Sequence, residues 1–184
     1  MRLFTAVDIS ERSRELIDRK VSILKENLDE NLKWVEKENW HVTLKFLGDC
    51  EEDKQDEVIQ SLKSLDLKTD LDYIQFNELN AFPSLENPKV LYLGVKRGNE
   101  YLKNLNQILE IELKKLGFEK ENREFTPHLT LARNKNHAEL DFEADFFKNS
   151  FINVFSYLDS LSLYESRLSE EGPEYIELFS KKLK

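Results

Sequence analysis

A single cysteine, Cys50, stands in a chain of 184 residues, so no internal disulfide can form and no multi-cysteine metal site can be assembled. It sits in "FLGDCEED", among carboxylates that raise a thiol pKa, which argues for a structural residue rather than a reactive thiolate. Glycine (5) and proline (4) are scarce too. With 40% hydrophobic and 34% charged residues, the composition is that of a soluble globular protein and excludes a fibrous or disordered one. No apolar run approaches membrane-spanning length. The opening "MRLFTAVDIS" reaches polar and acidic residues too early for a secretory signal, so a cytoplasmic location is expected. Positive charge is in deficit: 27 Lys and Arg against 36 Asp and Glu give a formal charge of -9. That excludes a protein coating long stretches of nucleic acid through many phosphate contacts, but not a local basic cleft around one phosphate.

Histidine is the scarcity that turns into a signal. There are three, and two of them head near-copies of one motif, "WHVTLKF" at His41 and "PHLTLAR" at His128. Under average composition, Thr at +2 and Leu at +3 after a given His is a coincidence on the order of one in two hundred. The framework repeats as well. "RLFTAVDIS", a helix and "HVTL" is answered by "VLYLGVKRG", a helix and "HLTL", with nearly equal intervals from Val7 to His41 and from Val95 to His128.

Helical spacing predicts a helix from the N-cap Ser10 through Leu16, Ile17, Val21, Leu24 and Leu28. A second opens on the acidic "EED" at 51 to 53 and runs through Val58, Ile59, Leu62 and Leu65. A third carries Leu102, Leu105, Leu109, Leu113 and Leu116 and stops at Gly117. A shorter fourth is expected from about Ala138 to Phe147. Strand-like runs are "RLFTAV", "HVTLKFL", "VLYLGV", "HLTLA", "SLSLYES" and "YIELFS". No flexible linker separates the copies, so one two-lobed α+β domain over 1–184 is expected, with repeat halves of roughly 1–87 and 88–184. A duplicated unit commonly assembles about an approximate two-fold axis that brings equivalent residues to a shared centre.

Strand alternation points His41 and Thr43 one way and Val42 and Leu44 the other; His128 and Thr130 stand likewise against Leu129 and Leu131. One neutral imidazole can remove a proton while a protonated one donates another, and hydroxyls can hold phosphate oxygens between them. A phosphodiester needs these services. By alternation Lys45 belongs either in the cleft or on the solvated surface, and Arg133 falls on the face opposite His128 unless the strand ends or bulges there. Phe46 has two readings, stacking on a base or packing in the core. His137, in "RNKNHAEL", reads as a solvated residue. Neither motif has the spacing of common zinc sites, and two His with two Thr make a poor ligand set, so no metal is expected.

These residues resemble the 2H phosphoesterases, and most closely the bacterial and archaeal LigT-like RNA 2′,3′-cyclic phosphodiesterases once described as 2′-5′ RNA ligases. "MRLFTAVDIS", "WVEKENWHVTLKFLGD", "AFPSLENPKVLYLGV", "FTPHLTLAR" and "LYESRLS" are similar to the family's landmarks in the family's order. The resemblance implies a bilobal α+β fold, with antiparallel sheets lining a central cleft and helices outside. It also implies hydrolysis of a ribose 2′,3′-cyclic phosphate to a 2′-phosphomonoester, without metal or cofactor, on RNA ends or nucleotides. His41 would protonate the leaving 3′ oxygen, His128 would activate water, Thr43 and Thr130 would hold the phosphate, and Arg133 would stand near it. Two rivals use the same residues: 2′-5′ ligation of a cyclic phosphate to a 5′-hydroxyl end, and RNA-end binding without catalysis. Nothing in the sequence calls for an obligate oligomer, so a monomer is expected.

Overall fold

"RLFTAV" forms β1 (Arg2–Asp8), buried on both faces from Leu3 through Val7. In the computed structural model, which describes residues 1–28, 32–135, 140, 152–169 and 172–183, β1 lies between two neighbours in a four-stranded antiparallel sheet. The order is β3 (His41–Asp49), β1, β8 (Ser160–Ser169), β9 (Gly172–Lys182). A second antiparallel sheet has the order β2 (Leu32–Trp34), β6 (His128–Asn134), β5 (Pro88–Val95), β4 (Tyr73–Pro83), β7 (Val154–Tyr157). Apart from β2, the two sheets match strand for strand: β3 with β6, β1 with β5, β8 with β4, β9 with β7. Both sheets draw strands from early and late parts of the chain.

Three helices complete the described fold: α1 (Glu11–Asn27), α2 (Glu52–Ser64) and α3 (Asn99–Lys114). The predicted stripes are the buried ones, Ile17, Val21 and Leu24 on α1, Val58 and Leu62 on α2, and Leu102, Leu105, Leu109 and Leu113 on α3. Leu16 turns partly outward, and Leu28 lies just past the helix end. Ser10 occupies the N-cap position, but its hydroxyl meets Ser13 Oγ at 2.6 Å rather than a helix N–H. Gly117 does end the third helical segment: it holds φ 89°, where a side chain would be strained, and gives its N–H to the Lys114 carbonyl at 3.0 Å. Apart from Leu140, the fourth helix predicted for about 138–147 lies outside the described residues, as does His137.

The helices cross over. α1 follows β1 of the first sheet yet packs against β7 of the second, while α3 follows β5 of the second yet packs against β3 of the first. One continuous buried cluster results, from Leu3 to Leu183. Each fully buried Leu or Ile in it contributes roughly 1.5–3 kcal/mol of transfer free energy. At the centre, β3 and β6 lie against each other without sharing a ladder.

Candidate active site

His41 and His128 begin these two central strands in the same way. Each gives its Nδ1–H to the carbonyl two residues earlier, His41 to Asn39 at 2.8 Å and His128 to Thr126 at 2.7 Å. A carbonyl can only accept, so Nδ1 carries the proton in both neutral rings and the Nε2 lone pair is left free. Both rings are half-buried, and burial lowers both pKa values, that of His41 to about 4. The two sites feel each other: positive charge on His128 further lowers His41. Thr43 and Thr130 follow on the same faces, opposite Ala6 and Tyr92. The alternation argument holds for all four residues.

Beyond them it fails, identically in both strands. In β3, Thr43 faces Ala6 while Lys45 faces Thr5, so Leu44 is an extra residue; in β6, Thr130 faces Tyr92 while Ala132 faces Leu91, so Leu131 is extra. Each bulge reverses the alternation for the residues that follow, in β3 up to a second register shift at Leu47. Lys45 therefore turns into the core. Its Nζ pairs with Glu110 of α3 at 2.7 Å and donates to the Glu119 carbonyl at 2.8 Å, with both side chains almost fully buried. Neither sequence reading of Lys45, cleft or solvated surface, is correct. Phe46 turns the opposite way, 68% exposed and 5.9 Å from Phe4 on the histidine face, so the core reading of Phe46 is overturned too. Arg133 is the counterpart of Phe46. The bulge carries it to the face of His128 and Thr130, where its charge depresses the His128 pKa and counters the upward push of burial on Tyr175.

Aromatic rings hold both imidazoles. His41 stacks on Phe4 at 4.9 Å and meets the edge of Tyr175 at 5.1 Å; His128 meets Phe82 at 4.9 Å and Tyr92 at 5.3 Å, both edge-on. Beside His41 in register, Asp8 accepts a 2.6 Å hydrogen bond from Tyr164. Several supporting residues escaped the sequence reading. Arg14 of α1 donates to the carbonyls of Ile9 (2.9 Å), Lys37 (2.7 Å) and Glu38 (2.6 Å), clamping the 3-10 turn Lys37–Asn39 that supplies the carbonyl holding His41. Asn106 of α3 donates to the carbonyl of the bulged Leu44 at 2.8 Å. The only sequence trace of these is a polar residue inside an apolar helical stripe, Asn106 and Glu110 among the leucines of α3. Cys50 is partly buried, and burial pushes its thiol up, in line with a structural role.

A duplicated α+β fold whose two central strands each open on a His-x-Thr motif defines the class of 2H phosphoesterases. Within that class the chain belongs to the LigT-like phosphoesterase family, whose profile matches residues 7–92 and 93–175. It is 34% identical over 178 residues to the RNA 2′,3′-cyclic phosphodiesterase of Methanocaldococcus jannaschii, covering 95% of this chain and 96% of that one. To the protein of the same name from Archaeoglobus fulgidus it is 35% identical over 181 residues, covering 97% and 98%. Among solved structures, E. coli LigT complexed with 3′-AMP shares the fold with a TM-score of 0.79 at 22% identity, over 99% of this chain and 97% of that one. No described helix is long and apolar enough to cross a membrane.

Proposed function

We propose that this protein hydrolyses the 2′,3′-cyclic phosphate of RNA ends or nucleotides to a 2′-phosphomonoester, using its two histidines and no metal ion. The observation that supports the reading is the pair of equivalent imidazoles, each with Nδ1 tied to the carbonyl two residues before it, which leaves Nε2 for the chemistry. The names of the curated relatives support the substrate class. His128 Nε2 takes a proton from water as the water oxygen bonds to phosphorus. The P–O3′ bond breaks on the far side, and His41 Nε2–H gives O3′ its proton. Thr43, Thr130 and Arg133 hold the nonbridging oxygens and their charge. The ring protons then return to their starting places through solvent.

Burial alone keeps His41 neutral, which does not suit an acid. A bound phosphate supplies the negative charge that raises both imidazoles toward working range. The test is turnover of a 2′,3′-cyclic mononucleotide in EDTA, with identification of the product isomer. His41→Ala and His128→Ala should each cut kcat by at least about a hundredfold with folding unchanged. A substrate whose 3′ leaving atom is sulfur needs no proton on departure, so it should rescue His41→Ala but not His128→Ala; the reverse pattern exchanges the two roles. Turnover that survives both substitutions, or that EDTA removes, overturns the proposal. Dominant joining to a 5′-hydroxyl end would make the protein a ligase instead.

A further inference from the structure

The face of the second sheet that carries His128 continues well beyond the cleft. In β5 and β4, Tyr92 and Phe82 mark that face through their ring contacts, and register places Asn80 and Glu78 on it as well. An extra residue at Asn77 then reverses the alternation, so that Ile74 and Phe76 are buried while Tyr73 and Gln75 take the histidine face. β7 pairs Tyr157 with Tyr73 and Phe155 with Gln75, which puts both aromatics on that face. They are 63% and 47% exposed. Phe155 meets Tyr73 edge-on at 5.0 Å, and the Arg97 guanidinium lies over the Tyr73 ring at 4.3 Å. Among the described residues no carboxylate forms an ion pair with Arg97.

We infer that Tyr73, Phe155 and Tyr157, with Arg97, form a distal platform on which the bases of a single-stranded RNA stack when its cyclic phosphate sits between His41 and His128. This inference rests on the function proposed above and deepens it by making the polymer, rather than a free nucleotide, the preferred substrate. The occupant is argued from continuity and charge. Counting roughly 3.4 Å per residue along a strand and about 4.8 Å between strands, the platform lies about 15–20 Å from His128 on one unbroken sheet face. That exceeds one nucleotide and suits a short single-stranded extension. Exposed rings with one arginine are the combination that binds single strands, because every base offers a face to stack on and every linkage a phosphate. An apolar protein partner would not call for the cation. The chain's acidity is compatible with this, since only one end of the strand and a few bases need to be held.

The test compares a 2′,3′-cyclic mononucleotide with oligoribonucleotides of two to six residues ending in the same group. In the wild type, kcat/KM should rise with length through a falling KM. In Phe155→Ser/Tyr157→Ser the mononucleotide rate should be unchanged and the gain with length reduced by roughly five- to a hundredfold, while Tyr157→Phe should keep it. Fluorescence titration of both proteins with 3′-phosphorylated single strands reads the platform without turnover. Tighter binding of longer strands that the double substitution removes supports the inference even if no cyclic phosphate is cleaved, an outcome that would instead sink the proposed function. Mononucleotide turnover with no gain from length, or a gain that the double substitution leaves intact, overturns the platform. So does light scattering that shows the substitutions splitting a dimer while length dependence persists, since the face would then belong to a second copy of this chain.

Discussion

Two imidazoles that each spend Nδ1–H on a carbonyl two residues back have only Nε2 to offer, and their environment decides what that atom does. Burial depresses both, His41 to about 4, so folding favours the neutral rings. The sign follows from proton counts: between the folded value near 4 and the unfolded value near 6.5, the unfolded chain binds more protons. Stability is then fully present above the unfolded value and falls as pH drops toward 4, by up to about 3 kcal/mol for His41. Urea unfolding of wild type and His41→Gln from pH 7 to pH 4 should show the wild type losing more; parallel losses would refute the depression. In catalysis, the limbs of the kcat profile should lie at higher pH than those of kcat/KM, because the first reports imidazoles beside bound phosphate and the second reports the empty cleft. Coincident profiles would count against that coupling. The four motif residues were legible at this scale because alternation over three positions needs nothing beyond the strand itself. Arg14 was not, since its work is to hold carbonyls that only the folded turn brings within reach.

At the scale of the element, the decisive feature is the extra residue directly after the Thr of each central strand, Leu44 in β3 and Leu131 in β6. Without the bulges Lys45 would stand beside His41, and Arg133 and Phe46 would face inward; with them, each of the two latter residues stands on the histidine face of its own strand. Composition carries no mark of an extra residue: "HVTLKF" and "HLTLAR" read as plain strands, and only the partner register shows the slip. The same limit hid β4, whose alternation breaks at Asn77, while β2 and β7 span only 3 and 4 residues and have little periodicity to read. The longer strands and the three helices were legible because burial of one face imposes the period directly. The bulge of β3 is held from below by α3, through Asn106 on the Leu44 carbonyl and Glu110 on Lys45. Glu110 Oε1 has no hydrogen-bond partner among the described residues, so the carboxylate depends on the lysine charge. Lys45→Met should therefore destabilise by about 3–5 kcal/mol by stranding a buried carboxylate, and adding Glu110→Leu should recover most of it. Equal losses in the single and double variants, measured by denaturant unfolding, would show that the pair does not behave as one buried unit.

For the whole molecule, duplication in the sequence leaves the two halves interleaved in space. Cutting the chain in the β4–β5 connection, between Asn87 and Pro88, leaves an N-terminal piece with β1 and β3 but without β8 and β9, and with β4 lacking both its neighbours. The C-terminal piece keeps β5 and β6 but loses β4 from between β5 and β7, and its β8 and β9 lose β1. The crossed helices deepen the dependence, because α3 buries its leucines beneath β3 and α1 sets Ser13 Oγ on the Phe155 carbonyl at 2.7 Å. Each piece alone would expose unpaired ladder edges and half of a shared core, which a chain of that size cannot offset. Residues 1–87 and 88–184 produced separately should lack a cooperative thermal transition, whereas the two produced together should associate, unfold in one step and regain a cleft with both histidines. If either piece alone shows native-like cooperative unfolding, the halves are independent domains, and the cleft is an interface between them rather than the centre of one core.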